Sequence, residues 1–456
     1  MFINRFDELM LLEKLYKGEK PNLLVLYGRR RVGKTALLNE FSKRHKALYL
    51  VARQETQADQ LKKISEETAR FFQDEVIANN PFQNYDALFT YLAKKDLPVF
   101  FDEFPYLVES NKALPSILQE HWDKHFSKKK SLIVLCGSSI RMMESLLGYK
   151  SPIYGRRTAQ VLLKPLNFKD SCKFLEGLSP EEKVSAFAVL GGMPAYLMEY
   201  NYKKPLLLNI KEKILAKNTF LYQDVLFVLK EELNEPSTYY SILKAIAKGN
   251  TKIGTIMNDT GLEKGKITKY LSVLQNLEIV ERRVPITEKK PAKSRKGIYL
   301  LKDNYFKFWF WFVFENNEYI EQNKEDLLIT EKIKPQLNNL TGKAFEEICL
   351  EWIKKQKKFN NYLFGRWWNN QNEIDIVGVN AKNNRILLGE VKWKKLSKKQ
   401  AKKTILQLKE KSKQVKWGDN PKKTFMLIGK KVQSKNEVSK EAMVFELNDI
   451  FQKNTS

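Results

Sequence analysis

Residues 28–35, GRRRVGKT, have the spacing Gly-x4-Gly-Lys-Thr that binds nucleotide phosphates. They follow the apolar run 23–26 and precede ALLNEF, so the loop is predicted to join a β-strand to a helix N-terminus. Backbone N–H groups of such a loop surround the β-phosphate, and the helix N-terminus adds partial positive charge. Lys34 is expected to contact the β- and γ-phosphates, and the Thr35 hydroxyl to bind Mg²⁺. The predicted ATP-binding residues are Gly28, Arg29, Arg30, Arg31, Val32, Gly33, Lys34, Thr35 and Ala36.

A second group of candidate residues follows the buried-strand pattern of residues 99–101, which ends in Asp102 and Glu103. A carboxylate at such a strand end holds the Mg²⁺ of a nucleotide, and we assign that role to Asp102. Glu103 is then placed to orient or deprotonate the attacking water. An ordinary acidic loop start is the alternative, and the phosphate-binding loop upstream argues against it.

Two more polar pairs lie farther along the same third of the chain. The apolar run SLIVLCG ends in Ser138 and Ser139, either of which is suited to sense a γ-phosphate, although a plain polar strand end fits as well. The segment YGRR contains Arg156 and Arg157. An arginine near the phosphates stabilises transition-state charge, so Arg156 is a candidate catalytic residue, from its own subunit or a neighbouring one. A surface arginine pair is the alternative.

The motifs resemble those of a known family. INRFDELMLL, GRRRVGKT, FFDEF, CGSS, YGRR, LGGMPAYL and DNYFKFWFWFV occur here in that order. This order is similar to that of a prokaryotic, archaeal-type ATPase family in the STAND branch of the AAA+ P-loop NTPases. The resemblance extends over nearly the whole chain. It implies an ATPase joined to a winged helix and, often, to a C-terminal nuclease-like domain.

The C-terminal quarter contains acids and a lysine at strand positions. In RILLGEVKW, Glu390 and Lys392 are two residues apart, so a strand directs both to one side. An amphipathic helix, a strand NEIDIVGV, this strand, a lysine-rich helix and a further strand follow one another. The order resembles the PD-(D/E)XK nuclease fold. The resemblance implies that Glu346, Asp375 and Glu390 bind Mg²⁺ or Mn²⁺ and that Lys392 positions or activates water.

The assignment in that quarter leaves alternatives open. Glu346 and Glu347 differ by one helical step of about 100°. Gln407, on the following helix, is a candidate supporting residue. A non-cleaving domain that keeps the acids and the lysine as a buried ion pair is the alternative to an active metal site.

The predicted fold is α/β: a P-loop NTPase parallel sheet with a helical lid, a winged helix-turn-helix and an α/β PD-(D/E)XK nuclease-like C-terminal domain. The predicted bounds are 1–164 for the ATPase domain, 165–235 for the lid, 236–302 for the winged helix, 303–335 for an aromatic-rich helical linker and 336–456 for the nuclease-like domain. We predict that the aromatic run YFKFWFWFVF packs as a core helix, with base stacking as the less favoured reading.

The predicted winged helix has a basic face. Its expected recognition helix contains Lys264, Lys266 and Lys269, and the wing segment VPITEKKPAKSRKG is basic as well. That pattern favours phosphate contacts on duplex DNA, while protein docking is the alternative.

The whole composition agrees with a polyanionic partner. The 456 residues include 80 Lys and Arg against 53 Asp and Glu, a net charge of +27. Nucleic acid, an anionic membrane or a lysine-rich composition without a specific partner are each compatible with that surplus. Three widely spaced cysteines argue against a disulfide framework, and no apolar stretch approaches the twenty residues of a spanning helix. We therefore expect a cytoplasmic protein without a membrane partner.

Taken together, these features predict an ATP-hydrolysing enzyme that couples nucleotide state to DNA binding and to metal-dependent DNA cleavage. The alternative is a nucleotide-dependent switch that docks on a protein partner and has an inactive nuclease-like domain. Self-association or a protein partner is compatible with either reading.

Overall fold

The structure is a computed structural model that describes residues 2–233 and 235–452. Position 1, position 234 and positions 453–456 belong to the predicted domains and lie outside the described residues. The chain forms two compact units. The first contains residues 1–165, 193–195 and 228–234, and the second contains residues 166–192, 196–227 and 235–456.

The first unit is built on a parallel five-stranded sheet in the order β2-β3-β4-β1-β5. Every residue of β1 and β4 is buried, as expected for strands covered by helices on both faces. The strands are β1 (Asn22–Tyr27), β2 (Leu48–Val51), β3 (Val99–Asp102), β4 (Leu132–Gly137) and β5 (Ala159–Leu162). The helices up to position 147 are α1 (Phe6–Lys17), α2 (Lys34–Ser42), α3 (Gln57–Phe72), α4 (Glu75–Asn79), α5 (Tyr85–Leu92), α6 (Phe104–Ser110), α7 (Leu114–Lys124) and α8 (Ile140–Leu147). The predicted α/β class is confirmed.

The strand order of the first sheet decides which loops are neighbours. The glycine-rich loop follows β1, the acid pair ends β3, and the serine pair follows β4. Because β4 lies between β1 and β3, the serines emerge between the glycine-rich loop and the acid pair at one edge of the sheet.

The segment from 166 to 233 is helical, as predicted. Ser179 caps its helix with a complete capping box, and Gly191 ends that helix at φ 66°. The helices are α9 (Phe168–Ser171), α10 (Pro180–Leu190), α11 (Pro194–Met198), α12 (Leu206–Asn209) and α13 (Phe220–Glu232). Helix α13 begins in the second unit and ends in the first.

Three helices and a two-stranded antiparallel hairpin come next. They are α14 (Pro236–Lys248), α15 (Ile253–Thr260), α16 (Lys264–Asn276), β6 (Val280–Arg283) and β7 (Ile298–Leu301). The first helix begins at Pro236 with Glu235 at its N-cap position, so Ser237 lies inside the helix although serine is a common cap residue. Proline fixes a helical φ at the first position, so it starts the helix ahead of the serine. The loop between β6 and β7, residues 284–297, is called the hairpin loop below.

The aromatic run lies in a core, which confirms the packing prediction. Tyr305, Phe306, Phe308 and Phe310 are each 0 % exposed, in α17 (Asn304–Phe308) and the π-helix Trp309–Phe314. The helices that follow are α18 (Asn317–Glu321), α19 (Glu325–Leu328) and α20 (Lys334–Lys354).

The second large sheet has the order β12-β11-β10-β9-β8. Strands β8 (Leu363–Trp368), β9 (Glu373–Asn380) and β10 (Arg385–Leu396) pair antiparallel, whereas β11 (Lys422–Val432) and β12 (Met443–Glu446) continue the sheet in parallel. Helix α20 packs on one face through Phe345 and Ile348, and α21 (Lys398–Ser412) packs on the other through Ile405 and Leu408. Two short helices complete the segment, α22 (Lys435–Val438) and α23 (Leu447–Phe451). The predicted helix, two strands, helix and strand correspond to α20, β9, β10, α21 and β11, and the sequence prediction lacks β8 and β12.

Candidate nucleotide site and candidate metal centre

The glycine-rich loop closes tightly over the carboxyl end of β1. Gly28 has φ 151°, and a Cβ added there would lie 2.4 Å from the carbonyl oxygen of Leu163, so only glycine fits. Gly33 has φ 101° and caps α2. Lys34 is buried, and its Nζ donates to the carbonyl oxygens of Gly28 at 2.8 Å and Arg29 at 3.3 Å. The ammonium group is thus held inside the curve of the loop, where phosphates bind in such loops.

Asp102 links the end of β3 to this loop. Its Oδ2 accepts a hydrogen bond from the Thr35 hydroxyl at 3.0 Å and another from the Tyr49 hydroxyl. Thr35 and Asp102, which the sequence predicts as Mg²⁺ ligands, therefore lie in direct contact, with their two oxygen atoms side by side. Burial, and then the Asp102 carboxylate, raise the pKa of Tyr49, which keeps its phenol a neutral donor. Sequence reasoning did not find Tyr49, because it lies alone on a neighbouring strand.

Glu103 adopts a left-handed backbone conformation with φ 51°. Its carboxylate accepts hydrogen bonds from the Ser138 amide at 3.0 Å and the Ser138 hydroxyl at 2.7 Å. A non-glycine residue in this region costs about 1–3 kcal/mol, which the surrounding contacts of Glu103 must offset. The structure thus brings Ser138 to the glutamate, so the serine orients the carboxylate rather than standing apart from it.

The C-terminal end of α13 contributes two acids that sequence reasoning missed. The Glu231 carboxylate pairs with Arg30 of the glycine-rich loop at 2.7 Å. Glu232 accepts from the backbone amides of Ile140 at 2.8 Å and Arg141 at 3.3 Å, at the N-terminus of α8. Burial raises the pKa of Glu232, and these amides oppose that rise. No local signal in the sequence marks either acid, because both act across more than ninety residues.

The N-terminal box and the arginine pair have structural partners. Arg5 donates to the carbonyl oxygens of Val32 at 3.1 Å and Lys164 at 2.8 Å, so the segment before α1 holds the glycine-rich loop. Arg156, predicted as a catalytic arginine, instead donates to the Asp123 carboxylate at 2.9 Å on the surface of α7. That ion pair satisfies its guanidinium within its own neighbourhood.

In the second unit, the predicted acids converge on one end of β9 and β10. Asp375 and Glu390 are buried, and the Asp375 carboxylate accepts from the Val391 amide at 2.8 Å. Burial, and then the charges of Glu346 and Glu390, raise the pKa of Asp375 to about 8. Of the two adjacent glutamates of α20, Glu346 contributes to this rise, whereas the Glu347 carboxylate pairs with Arg283.

Three cations neutralise these carboxylates. Lys392 Nζ lies 2.7 Å from Glu390 Oε1, which confirms that a strand directs both to one side. Lys411 Nζ lies 3.1 Å from the same oxygen. Arg366 of β8 lies 2.7 Å from Glu346. Gln407 is exposed, and Lys411, one helical turn later, supports Glu390 in its place.

The donor set suits a hard divalent cation, since its candidate ligands are carboxylate oxygens. Across residues 2–233 and 235–452, however, no group of three or more His, Cys, Asp or Glu side chains is arranged to hold a metal ion. An ion bound by Glu346, Asp375 and Glu390 would have to replace the lysines and Arg366 as the charge partner of these acids.

Two family models and two curated proteins match this chain. Residues 2–200 match a family described as an ATPase domain predominantly from Archaea, and residues 309–404 match a family of archaeal and bacterial proteins of unknown function. An uncharacterized protein of Methanocaldococcus jannaschii is 35% identical over 455 residues, which cover 98% of this chain and 100% of that protein. The chain belongs to the same family as this protein, and its residues 2–200 match the ATPase domain. An uncharacterized ATP-binding protein of the same organism is 56% identical over 41 residues, 9% of this chain and 70% of that protein.

A solved structure supports the fold of this ATPase. The Walker-type ATPase of Pyrococcus abyssi aligns with a TM-score of 0.52 and 20% sequence identity, covering 68% of this chain and 96% of that one. Residues 2–200 therefore form an ATPase domain with a P-loop fold, and Lys34, Thr35, Asp102 and Glu103 lie together at the carboxyl ends of its strands. In the described part of the chain, no helix is both long and apolar enough to cross a membrane.

Proposed function

We propose that this ATPase hydrolyses ATP at the Thr35, Asp102 and Glu103 site and couples its nucleotide state to binding of duplex DNA, which the second unit cleaves. The observation that supports hydrolysis most directly is the Thr35–Asp102 hydrogen bond, with Glu103 held by Ser138 beside it. Mg²⁺ bound by Thr35 and Asp102 would neutralise charge on the β- and γ-phosphate oxygens.

Side chains of the protein neutralise the phosphates, activate the attacking water and orient the base. Lys34 neutralises the phosphate oxygens from inside the loop. Glu103 accepts a proton from water as the water oxygen bonds to the γ-phosphorus and the bond to the β–γ bridging oxygen breaks. Ser138 fixes the Glu103 carboxylate through its amide and hydroxyl, so the base is oriented before the nucleotide reacts.

DNA binding is proposed for the segment of α14, α15, α16 and the β6–β7 hairpin, acting as a winged helix. Lys264, Lys266 and Lys269 are exposed on α16, the expected recognition helix. Exposed lysines on such a helix contact phosphates and make binding strongly dependent on salt. Anisotropy of a labelled duplex over a NaCl series tests this, and binding without a salt slope contradicts it.

DNA cleavage is proposed for the acid cluster of the second sheet. Glu346, Asp375 and Glu390 would bind Mg²⁺ or Mn²⁺, which supplies a Lewis acid for the scissile phosphate. Lys392 would position the attacking water beside that phosphate. What supports this is the position of Asp375, where burial first and then the charges of Glu346 and Glu390 raise its pKa to about 8. Metal titration by calorimetry and a nuclease assay with and without ATP test it together.

One observation favours a second function. Lys392 and Lys411 already pair with Glu390, at 2.7 and 3.1 Å, where a metal ion would otherwise neutralise it. That pairing fits a nucleotide-dependent switch that docks on a protein partner, in which the lysines replace a metal permanently and nothing is cut. Absence of metal binding together with salt-independent DNA binding would support this reading.

A further inference from the structure

The hairpin loop is fixed to the edge of the second sheet by several contacts. The Ile286 amide donates to the Arg366 carbonyl oxygen at 2.9 Å, and the Trp368 indole donates to the Lys296 carbonyl oxygen at 3.0 Å. The Ile286 side chain packs against the sheet's core, and a Cβ added to Gly365 would lie 2.9 Å from Ile286 Cβ. The hairpin loop therefore continues the surface of the sheet.

This loop presents unneutralised positive charge. Lys289, Lys290, Lys293 and Arg295 are exposed, and no ion pair of the described residues involves any of them. Lys296 is the cation of the loop that has an acidic partner, Glu288 at 2.6 Å.

The path of contacts continues from the loop across the β8–β9 turn to the end of α21. Trp368 contacts the hairpin loop, and the next residue, Asn369, donates to the Gln414 side chain at 2.7 Å. Asn372 donates to the same oxygen at 3.2 Å. Lys413 and Lys416 flank Gln414, and both are exposed.

The charge at this end of α21 is available to a partner. Lys413 pairs with Glu410 at 2.7 Å, and both side chains are about 70% exposed, at 68% and 70%, so the pair is weak. In the same region, Lys411 Nζ contacts Glu390 and the Glu373 carbonyl oxygen. The end of α21 thus connects the basic path to the acid cluster.

We propose that the hairpin loop, the β8–β9 turn and residues 411–416 form one binding surface for the phosphates of duplex DNA, which leads the duplex to the Glu390 cluster. This inference rests on the proposed DNA binding by the hairpin. It extends the DNA-binding surface to the second sheet. The chemistry of the path favours a polyanion, because lysines and side-chain amides are typical phosphate donors. None of the exposed large apolar side chains of the described residues falls within residues 284–297, 368–372 or 409–417.

The test compares matched lysine pairs on one helix. The variant Lys413→Gln with Lys416→Gln removes the proposed contacts, and Lys399→Gln with Lys403→Gln removes two exposed lysines at the other end of α21. Anisotropy of a labelled 30-base-pair duplex is measured over a NaCl series. Each lost phosphate contact should flatten the slope of log K against log salt by about 0.9. If the variant and the wild type bind equally at about 1 M salt, this change in slope lowers the affinity of the variant about 8-fold at about 0.1 M salt. The first pair should therefore lose up to about 60-fold, and the control pair should bind like the wild type.

A third variant separates this inference from the function on which it rests. Replacing Lys289, Lys290 and Lys293 with glutamine should flatten the slope by about 2–3. If that variant binds like the wild type, the proposed DNA binding by the hairpin fails. If it is weakened while the Lys413 and Lys416 variant is not, only the continuous surface is overturned. An equal loss of affinity in the control pair would also overturn the proposed surface. So would binding to phosphatidylserine vesicles that is tighter than binding to the duplex and is abolished by the Lys413 and Lys416 variant.

Discussion

Removing the charge of Asp375 should stabilise the protein in a pH-dependent way. Burial and the neighbouring acids raise the pKa of this carboxyl from 3.8 to about 8 in the folded chain. The folded state therefore retains a proton that the unfolded state releases, so the contribution of Asp375 to stability is full below about pH 4 and declines as the pH rises towards 8. The decline is about 1.4 kcal/mol per pH unit, or about 6 kcal/mol over the whole window.

The variant Asp375→Asn cannot ionise, and its amide oxygen can still accept from the Val391 amide as Asp375 Oδ2 does. Its stability relative to the wild type should be near zero at pH 4 and should rise by several kcal/mol at pH 8. Urea unfolding in EDTA at pH 4.5, 6 and 8 measures this difference. Asp419→Asn, an exposed site in the loop before β11, is the control and should show no such rise. A difference between Asp375→Asn and the wild type that does not change with pH would refute the reasoning.

Three further results are expected. Lys34→Ala should abolish measurable ATP binding in calorimetry, because the loop loses the cation that faces the phosphates; unchanged affinity would contradict the site. Glu103→Gln should bind ATP normally and lower the rate of phosphate release 10²- to 10⁴-fold, while Ser138→Ala should lower it about 10-fold by freeing the carboxylate, and equal rates in all three proteins would exclude the proposed base. Glu390→Ala should eliminate Mg²⁺-dependent DNA cleavage and metal binding, whereas Lys392→Ala should lose cleavage and keep metal binding; wild-type cleavage in both would show that the nuclease lies elsewhere.

The local motifs could be predicted from the sequence because each is read within one strand, loop or helix. The glycine-rich loop needs only its own spacing, and the position of Glu390 and Lys392 on one side follows from the two-residue period of a strand. The aromatic run was recognised as core on the same grounds. Helix α14 begins two residues before the start that a cap at Ser237 would predict, because the proline at its first position sets the boundary instead.

The contacts that complete the sites could not be predicted. Ser138 orients Glu103 only because β4 lies beside β3 in the sheet. The order of strands in a sheet cannot be deduced from the local pattern of apolar and polar residues. Lys411 reaches Glu390 across 21 residues, one turn beyond the residue that sequence reasoning chose. Glu232 acts at the start of α8 from 92 residues away. Each depends on the three-dimensional path of the chain, for which a single sequence contains no periodic signal.

The course of α13 has a consequence for the synthesis of this protein. The first unit takes its last segment from residues 228–234, although its sheet is already complete at Leu162. On a ribosome adding about 5–20 residues per second, the sheet therefore leaves the exit tunnel several seconds before Glu231 and Glu232 do. During that interval Arg30 and the N-terminus of α8 lack these two acids. A chain truncated after residue 165 should accordingly be less stable than the same unit within the full protein, and the final order of its nucleotide site is set only when α13 arrives.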